Sequence, residues 1–455
     1  MRLPFRSTRF LALAVVTAAV PLAALAGGGQ AATASTAQVV TAAPEIPDSP
    51  AGRQLRWFLD APNRAPLTES ELGEHLNGAY LQALTADGFN AFLKNVTGFQ
   101  LEELTTVTPT ALVGAGTIGG QKFIVQIRVD TAGKIDLIGV TLPTPPPPPS
   151  PTSWKQLDTR LREAAPEVGF LAAEIDSRGR CEVVHAVNPD RAQPLGSIFK
   201  LYVMGAVAEK VRDGKLSWNT KLTIKPEWRS LGVGGLAERP DNSTVTVREA
   251  AKLMISISDN TATDILIHTV GRKAVETTMR RWSSHAKQNV PFLTTRELFL
   301  LKGVNYPGQA DAYLSLSTAK KAAYLKNTVA KQALTDIKPW DKPREIDRLE
   351  WFGSPRDVCR AYAGLTALNS KPLHEVMSAN DLGLQLNPGK WPIVWAKGGD
   401  EIGVLDLSFR ARSSKGKTYV VTALTNNPQS AIDERTAAGE LISLSRGAFT
   451  LATSG

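Results

Sequence analysis

The chain has 455 residues, 43% apolar and 21% charged, an ordinary globular composition with apolar material for more than one core. Its formal charge is +9, but Arg2, Arg6 and Arg9 lie in the first ten residues and no basic run follows them, which argues against nucleic-acid binding and for a solvated, mildly basic surface. The five histidines are scattered and the two cysteines stand far apart, so no zinc-type pattern is present and neither a metal nor another cofactor is expected.

Residues 1–26 read as a secretory signal. Three arginines precede an apolar stretch from Phe10 to Leu25, and Ala24-Leu25-Ala26 supplies a small-residue cleavage pattern, with cleavage after Ala31 as the alternative. The apolar stretch is short for a membrane span, and nothing later is long and apolar enough for one. A secreted or envelope-associated monomer is therefore expected, with no stable transmembrane segment after signal removal. Residues 27–50 are small, polar and Pro-containing, and are expected to be disordered.

Residues 51–142 open with helical patterns at Leu55–Leu59 and Leu72–Leu84. Strand-like stretches follow at Leu101–Val107, Ala111–Gly116, Phe123–Val129 and Ile135–Val140, with turns at Gly119-Gly120 and Ala132-Gly133. Helices followed by consecutive strands predict a small α+β domain. Residues 143–153 are Pro-rich and predict an extended polyproline spacer. Residues 154–455 form the second domain. Strands are expected at Val168–Ile175 and Cys181–Val187, a helical block over about 197–380, strands at Ile393–Lys397, Val404–Arg412 and Tyr419–Leu424, and a last helix over Ala431–Ser445. That order predicts an antiparallel sheet with a helical lobe, again α+β. Export would permit Cys181 and Cys359 to pair, but the sequence does not place their Cα atoms within bonding range; buried free thiols are the simpler expectation.

Four Ser-x-x-Lys pairs occur: Ser197/Lys200, Ser284/Lys287, Ser317/Lys320 and Ser414/Lys417. Ser284 lies in a polar stretch, Ser317 in a lysine-rich amphipathic helix, and Ser414 in a polar turn between strands. Only Ser197 follows a Pro-Leu-Gly turn and opens an apolar helix, with Lys200 one turn along on the same face. A serine hydroxyl needs a base, and an amine serves if burial lowers its pKa. The helix N-terminus also presents backbone N–H groups where an oxyanion would form. Ser258-Asp259-Asn260 lies in a turn between two predicted helices, the first opened by a Thr246/Glu249 capping pattern. Lys397-Gly398-Gly399 ends one strand and precedes another.

In this order the three motifs resemble class A β-lactamases and penicillin-binding proteins, whose signature is Ser-x-x-Lys, Ser-Asp-Asn and Lys-Thr-Gly. The surrounding stretches agree: Pro194 to Lys200, Met254 to Asp264, and Ser354-Pro-Arg-Asp357 opening a later helix. Over both domains the chain is similar to actinobacterial two-domain proteins that join a small cystatin-like (steroid-isomerase-like) domain to a β-lactamase-like domain, one of them from clavam biosynthesis. The stretches carrying this are Arg229-Ser-Leu-Gly232, Arg239-Pro-Asp241 and Pro291 to Leu298.

The resemblance implies that Ser197 attacks an acyl carbon of a small β-lactam or ester and that Lys200 takes its proton. Ser258 relays a proton to the leaving group, Asn260 orients Lys200 and substrate, and Lys397 supports Ser258 and attracts an anion. Gly399 and Asp400 lie at the oxyanion position. Two departures stand out. No Glu-x-x-x-Asn follows Ser258 before Lys397, leaving Glu297 as the nearest candidate deacylating base. Gly398 replaces the family's Thr, and Asp400 adds a negative charge that would repel an anionic substrate unless it points away or pairs. The expected function is an exported serine hydrolase with β-lactamase or esterase activity, weak on penicillins. The alternatives are a D-alanyl-D-alanine peptidase acting on peptidoglycan and a non-catalytic envelope-binding protein.

Overall fold

The computed structural model describes residues 44–454 apart from 233, 234 and 238. The expected signal, residues 1–26, and most of the expected disordered stretch lie outside the described residues. Two compact units result, one ending at Pro145 and the other beginning at Pro146.

In the first unit, helices α1 (Pro50–Arg64), α2 (Glu69–His75), α3 (Gly78–Leu84) and α4 (Ala86–Asn95) precede strands β1 (Gln100–Val107), β2 (Ala111–Ile118), β3 (Gln121–Val129) and β4 (Ile135–Thr141). The strands pair antiparallel in chain order. On β2 and β3 every second residue is buried, including Leu112, Val125 and Ile127, so one face of the sheet meets Leu55, Phe58, Phe89 and Leu93 of the helices. Helix α4 is not among the elements expected above; only Phe89 and Leu93 mark its buried face. Residues 46–50 are ordered, contrary to expectation. Ser49 caps α1 by accepting the Gly52 N–H at 3.0 Å, and Ile46 packs on the core.

In the second unit, α5 (Trp154–Ala164) leads to β5 (Glu167–Ile175), β6 (Cys181–Val187) and the short β7 (Gln193–Pro194). A 3₁₀ turn at Gly196–Phe199 then runs into α6 (Lys200–Arg212). A small pair, β8 (Lys221–Thr223) and β9 (Thr244–Thr246), precedes α7 (Val247–Ser256), α8 (Asn260–Val270) and α9 (Arg272–Trp282). Next come α10 (Thr295–Gly303), α11 (Gly308–Leu314), α12 (Thr318–Asn327), the short β10 (Phe352–Gly353), α13 (Pro355–Leu368) and α14 (Lys371–Met377). Strands β11 (Ile393–Glu401), β12 (Val404–Arg412) and β13 (Thr418–Asn426) and helix α15 (Glu434–Leu451) complete it.

The main sheet has the order β11-β12-β13-β5-β6 and is antiparallel throughout. It is covered on both faces. One core joins it to the helical lobe around α6, α8 and α13, and the other to α5 and α15. Strand β13, in the middle of the sheet, is accordingly buried along its whole length.

Three expectations are corrected here. Cys181 on β6 and Cys359 on α13 form a disulfide, with Cα atoms 6.4 Å apart, because α13 packs beside that edge of the sheet. The Pro-rich stretch is not a free spacer along its length. The Pro149 carbonyl accepts hydrogen bonds from Arg160 (2.7 Å) and Ser443 (3.0 Å), and a Cβ on Gly447 would stand 2.5 Å from Pro151 Cδ, so the chain from Pro147 lies against α5 and α15. Strand β11 continues to Glu401, four residues beyond the expected end, which puts Gly399 and Asp400 on the strand.

Candidate active site

The site starts from a turn that only glycine permits. Gly196 has φ +44°, and a Cβ there would meet the Asp400 backbone nitrogen at 2.8 Å. Across from it, a Cβ on Gly399 would stand 2.1 Å from the Leu195 carbonyl and 2.9 Å from the Ser197 nitrogen. Two glycines thus let edge strand β11 approach the turn that carries Ser197, bringing the Ser197 and Asp400 backbone nitrogens to one place. Ser197 itself is half-buried, while Ile198, Phe199 and Lys200 are fully buried.

Lys200 opens α6 with its ammonium nitrogen among four oxygens: Ser197 Oγ (2.9 Å), Ser258 Oγ (2.9 Å), the Ser258 carbonyl (2.6 Å) and Asn260 Oδ1 (2.7 Å). The Asn260 orientation follows from its Nδ2, which donates to the Leu231 carbonyl at 3.0 Å. The carbonyl and Oδ1 can only accept. A neutral amine has two N–H groups, which those two acceptors take, and its lone pair is left for a serine hydroxyl. Burial pushes the Lys200 pKa down from 10.5 to about 8, against the opposing pull of Asp400 first and then Asp259, Asp264 and Glu350. The arrangement can offer Ser197 a neutral amine as a general base as the pH approaches about 8.

Ser258 reaches Lys200 with both its oxygens because its own backbone is left-handed, φ +59°, a strained state costing about 1–3 kcal/mol for a non-glycine residue. What holds it is the neighbouring cap. Asp259 Oδ1 accepts the Ala262 N–H (2.8 Å) at the start of α8, and its Oδ2 accepts the Leu236 N–H (2.7 Å). Lys397, on β11, donates to Ser258 Oγ (3.0 Å) and to the Gly398 carbonyl (2.7 Å). Burial and the neighbouring Lys200 charge hold the Lys397 pKa well below its ordinary value. Ser258 Oγ is thus shared by two buried lysines and can pass a proton between them or to a leaving group.

Along β11, Asp400 alternates to the face opposite Lys397. Burial raises its pKa, with Lys397 and Lys200 opposing. The structure does not bring Glu297 into this network. Glu297 completes a capping box with Thr294 at the start of α10 and gives both oxygens to Arg272, at 2.9 and 2.7 Å. The other serines are elsewhere: Ser284 hydrogen-bonds Asp357, and Ser317 and Ser414 are exposed. Among the described residues no group of three or more His, Cys, Asp or Glu is arranged to hold a metal.

Residues 152–341 match the model of the beta-lactamase enzyme family. The second unit is thus a beta-lactamase-like domain. Residues 46–135 match the model of the N-terminal part of the ORF 12 gene product. No curated protein matches the chain. Among solved structures, a beta-lactamase from Sphaerobacter thermophilus is 20% identical over 66% of this chain and 98% of its own, with a TM-score of 0.46. PBP-A is 19% identical over 67% and 98%, with a TM-score of 0.43. A beta-lactamase from Francisella tularensis is 12% identical over 64% and 96%, with a TM-score of 0.44.

Two parts of the site in the beta-lactamase-like domain escape local reading. Leu231 acts through its carbonyl, which any residue provides. Ser230, on the same loop, is fixed by its N–H to Thr261 Oγ1 at 3.1 Å, a contact across 31 positions.

Proposed function

We propose that the protein is an exported serine hydrolase that forms an acyl-enzyme on Ser197 with small esters and β-lactams, poorly with penicillins. The observation that carries this is the buried Lys200 nitrogen, 2.9 Å from Ser197 Oγ, with two of its neighbours able only to accept. Lys200 takes the Ser197 proton as Oγ bonds to the acyl carbon. The Ser197 and Asp400 N–H groups receive the oxyanion, and collapse returns a proton through Ser258 to the leaving group. Lys397 holds Ser258 in line, and Asn260 orients Lys200.

Asp400 disfavours carboxylate-bearing substrates, which is why neutral esters are the better substrates in this reading. With Glu297 paired to Arg272, the hydrolysis of a β-lactam-derived acyl-enzyme is slow. The disulfide between Cys181 and Cys359 supports export to an oxidising compartment. Helices over one face of an antiparallel sheet support a cystatin-like first domain.

Steady-state hydrolysis of a neutral aryl ester tests the assignment. Ser197→Ala and Lys200→Ala abolish it, while Ser317→Ala and Ser414→Ala leave it unchanged. Activity persisting in Ser197→Ala contradicts the reading.

A further inference from the structure

This inference rests on the Ser197 reading and concerns a buried charge cluster that the mechanism above does not use. Lys302 on α10 is fully buried among leucines. Its ammonium lies 2.6 Å from each carboxylate oxygen of Glu401, the last residue of β11 and the one after Asp400. The buried Glu350 accepts the Trp351 N–H at 2.7 Å, and the Glu401 and Lys302 charges act on it. Burial and then the Glu401 charge push the Glu350 pKa well up, against the pull of Lys302.

The cluster touches both halves of the oxyanion site. Trp351, next to Glu350, stacks on Phe199 with ring centres 3.7 Å apart, and its carbonyl accepts the Leu195 N–H at 2.8 Å. Leu195 and Phe199 bracket Ser197. On the other side, Glu401 ends a strand that is paired in the sheet only with β12. An edge strand has no second ladder to fix its end, so the approach of Asp400 to Ser197 needs another restraint. The turn beyond is closed in too: a Cβ on Gly403 would stand 2.7 Å from Pro343 Cγ. A buried ion pair is an expensive way to gain stability, because desolvation costs several kcal/mol per ion; what it adds over an apolar pair is a fixed direction.

We propose that Lys302, Glu401 and Glu350 are positioning residues that clamp the end of β11 and so hold the Asp400 N–H beside Ser197 for the oxyanion.

The test is the rate constant for acylation by p-nitrophenyl acetate, followed by rapid-quench intact mass, with KM and Tm measured alongside. In the Lys302→Met/Glu401→Gln double variant, which leaves neither of these two charges buried alone, acylation falls about ten- to a hundredfold, part of the effect of losing one oxyanion donor. KM and Tm stay near wild type. Glu350→Ala lowers the rate, and Glu350→Gln, which keeps an oxygen to accept the Trp351 N–H, recovers most of it; this pair decides the matter should the double variant not fold. Acylation at the wild-type rate in the folded double variant, or equal rates in Glu350→Ala and Glu350→Gln, overturns the clamp. Wild-type protein that takes no adduct overturns the Ser197 reading and the clamp with it.

Discussion

Burial sets the chemistry of single residues here. Lys200 is a useful base because its charged form is penalised, which lowers its pKa to about 8. The sign is fixed: the neutral amine gains as pH rises, so Ser197 acylation should increase through about pH 8 and level off above it. A flat rate between pH 6.5 and 9 would contradict this. In the reading proposed above, Asp400 would act through the ionised form of its carboxyl group, which burial disfavours. Asp400→Asn keeps the backbone N–H and removes the repulsion, so acylation by a penicillin should rise about tenfold relative to a neutral ester, a change of about 1.4 kcal/mol. An unchanged ratio would mean that the carboxylate does not meet the substrate's anion. At this scale the sequence is most legible. Ser197, Lys200, Ser258, Asn260 and Lys397 lie in short motifs whose local context, a helix start, an inter-helix turn and a strand, is written in neighbouring residues. Lys302 and Glu401 are not legible, because their pairing spans 99 positions, and Glu350 has no local motif to mark it.

At the scale of elements, caps and glycines position the site. Helix α13 begins with Ser354 accepting the Asp357 N–H at 3.2 Å, a box readable from Ser-Pro-Arg-Asp. Ser354→Ala should cost about 1 kcal/mol of stability, measured by urea unfolding. The strand containing Lys397 was harder to delimit, because Gly398-Gly399 looks like a strand end. In the fold those glycines continue β11 and give the close approach to Ser197. The Pro-rich stretch likewise reads as one spacer, yet from Pro147 on it packs on α5 and α15, with the Pro149 carbonyl accepting two hydrogen bonds there. Limited proteolysis should therefore cut at residues 143–146 before it cuts within 147–151; the reverse order would contradict the docking.

At the scale of the molecule, the sheet with its helical lobe follows from the order of the patterns, whereas the disulfide does not. Cys181 and Cys359 are 178 positions apart, and only the packed fold brings β6 to α13. Reduction should lower the stability of the second unit by about 2–4 kcal/mol, read as a drop in Tm with dithiothreitol. All three scales meet in the site: a buried lysine, a strand held against a turn, and Glu297 paired elsewhere. Intact-mass spectrometry after mixing with a penicillin tests it directly. The account predicts an adduct of one penicillin mass on the peptide containing Ser197, persisting well beyond mixing and missing in Ser197→Ala. An adduct that survives in Ser197→Ala, or rapid penicillin turnover with no adduct at any time, would contradict it.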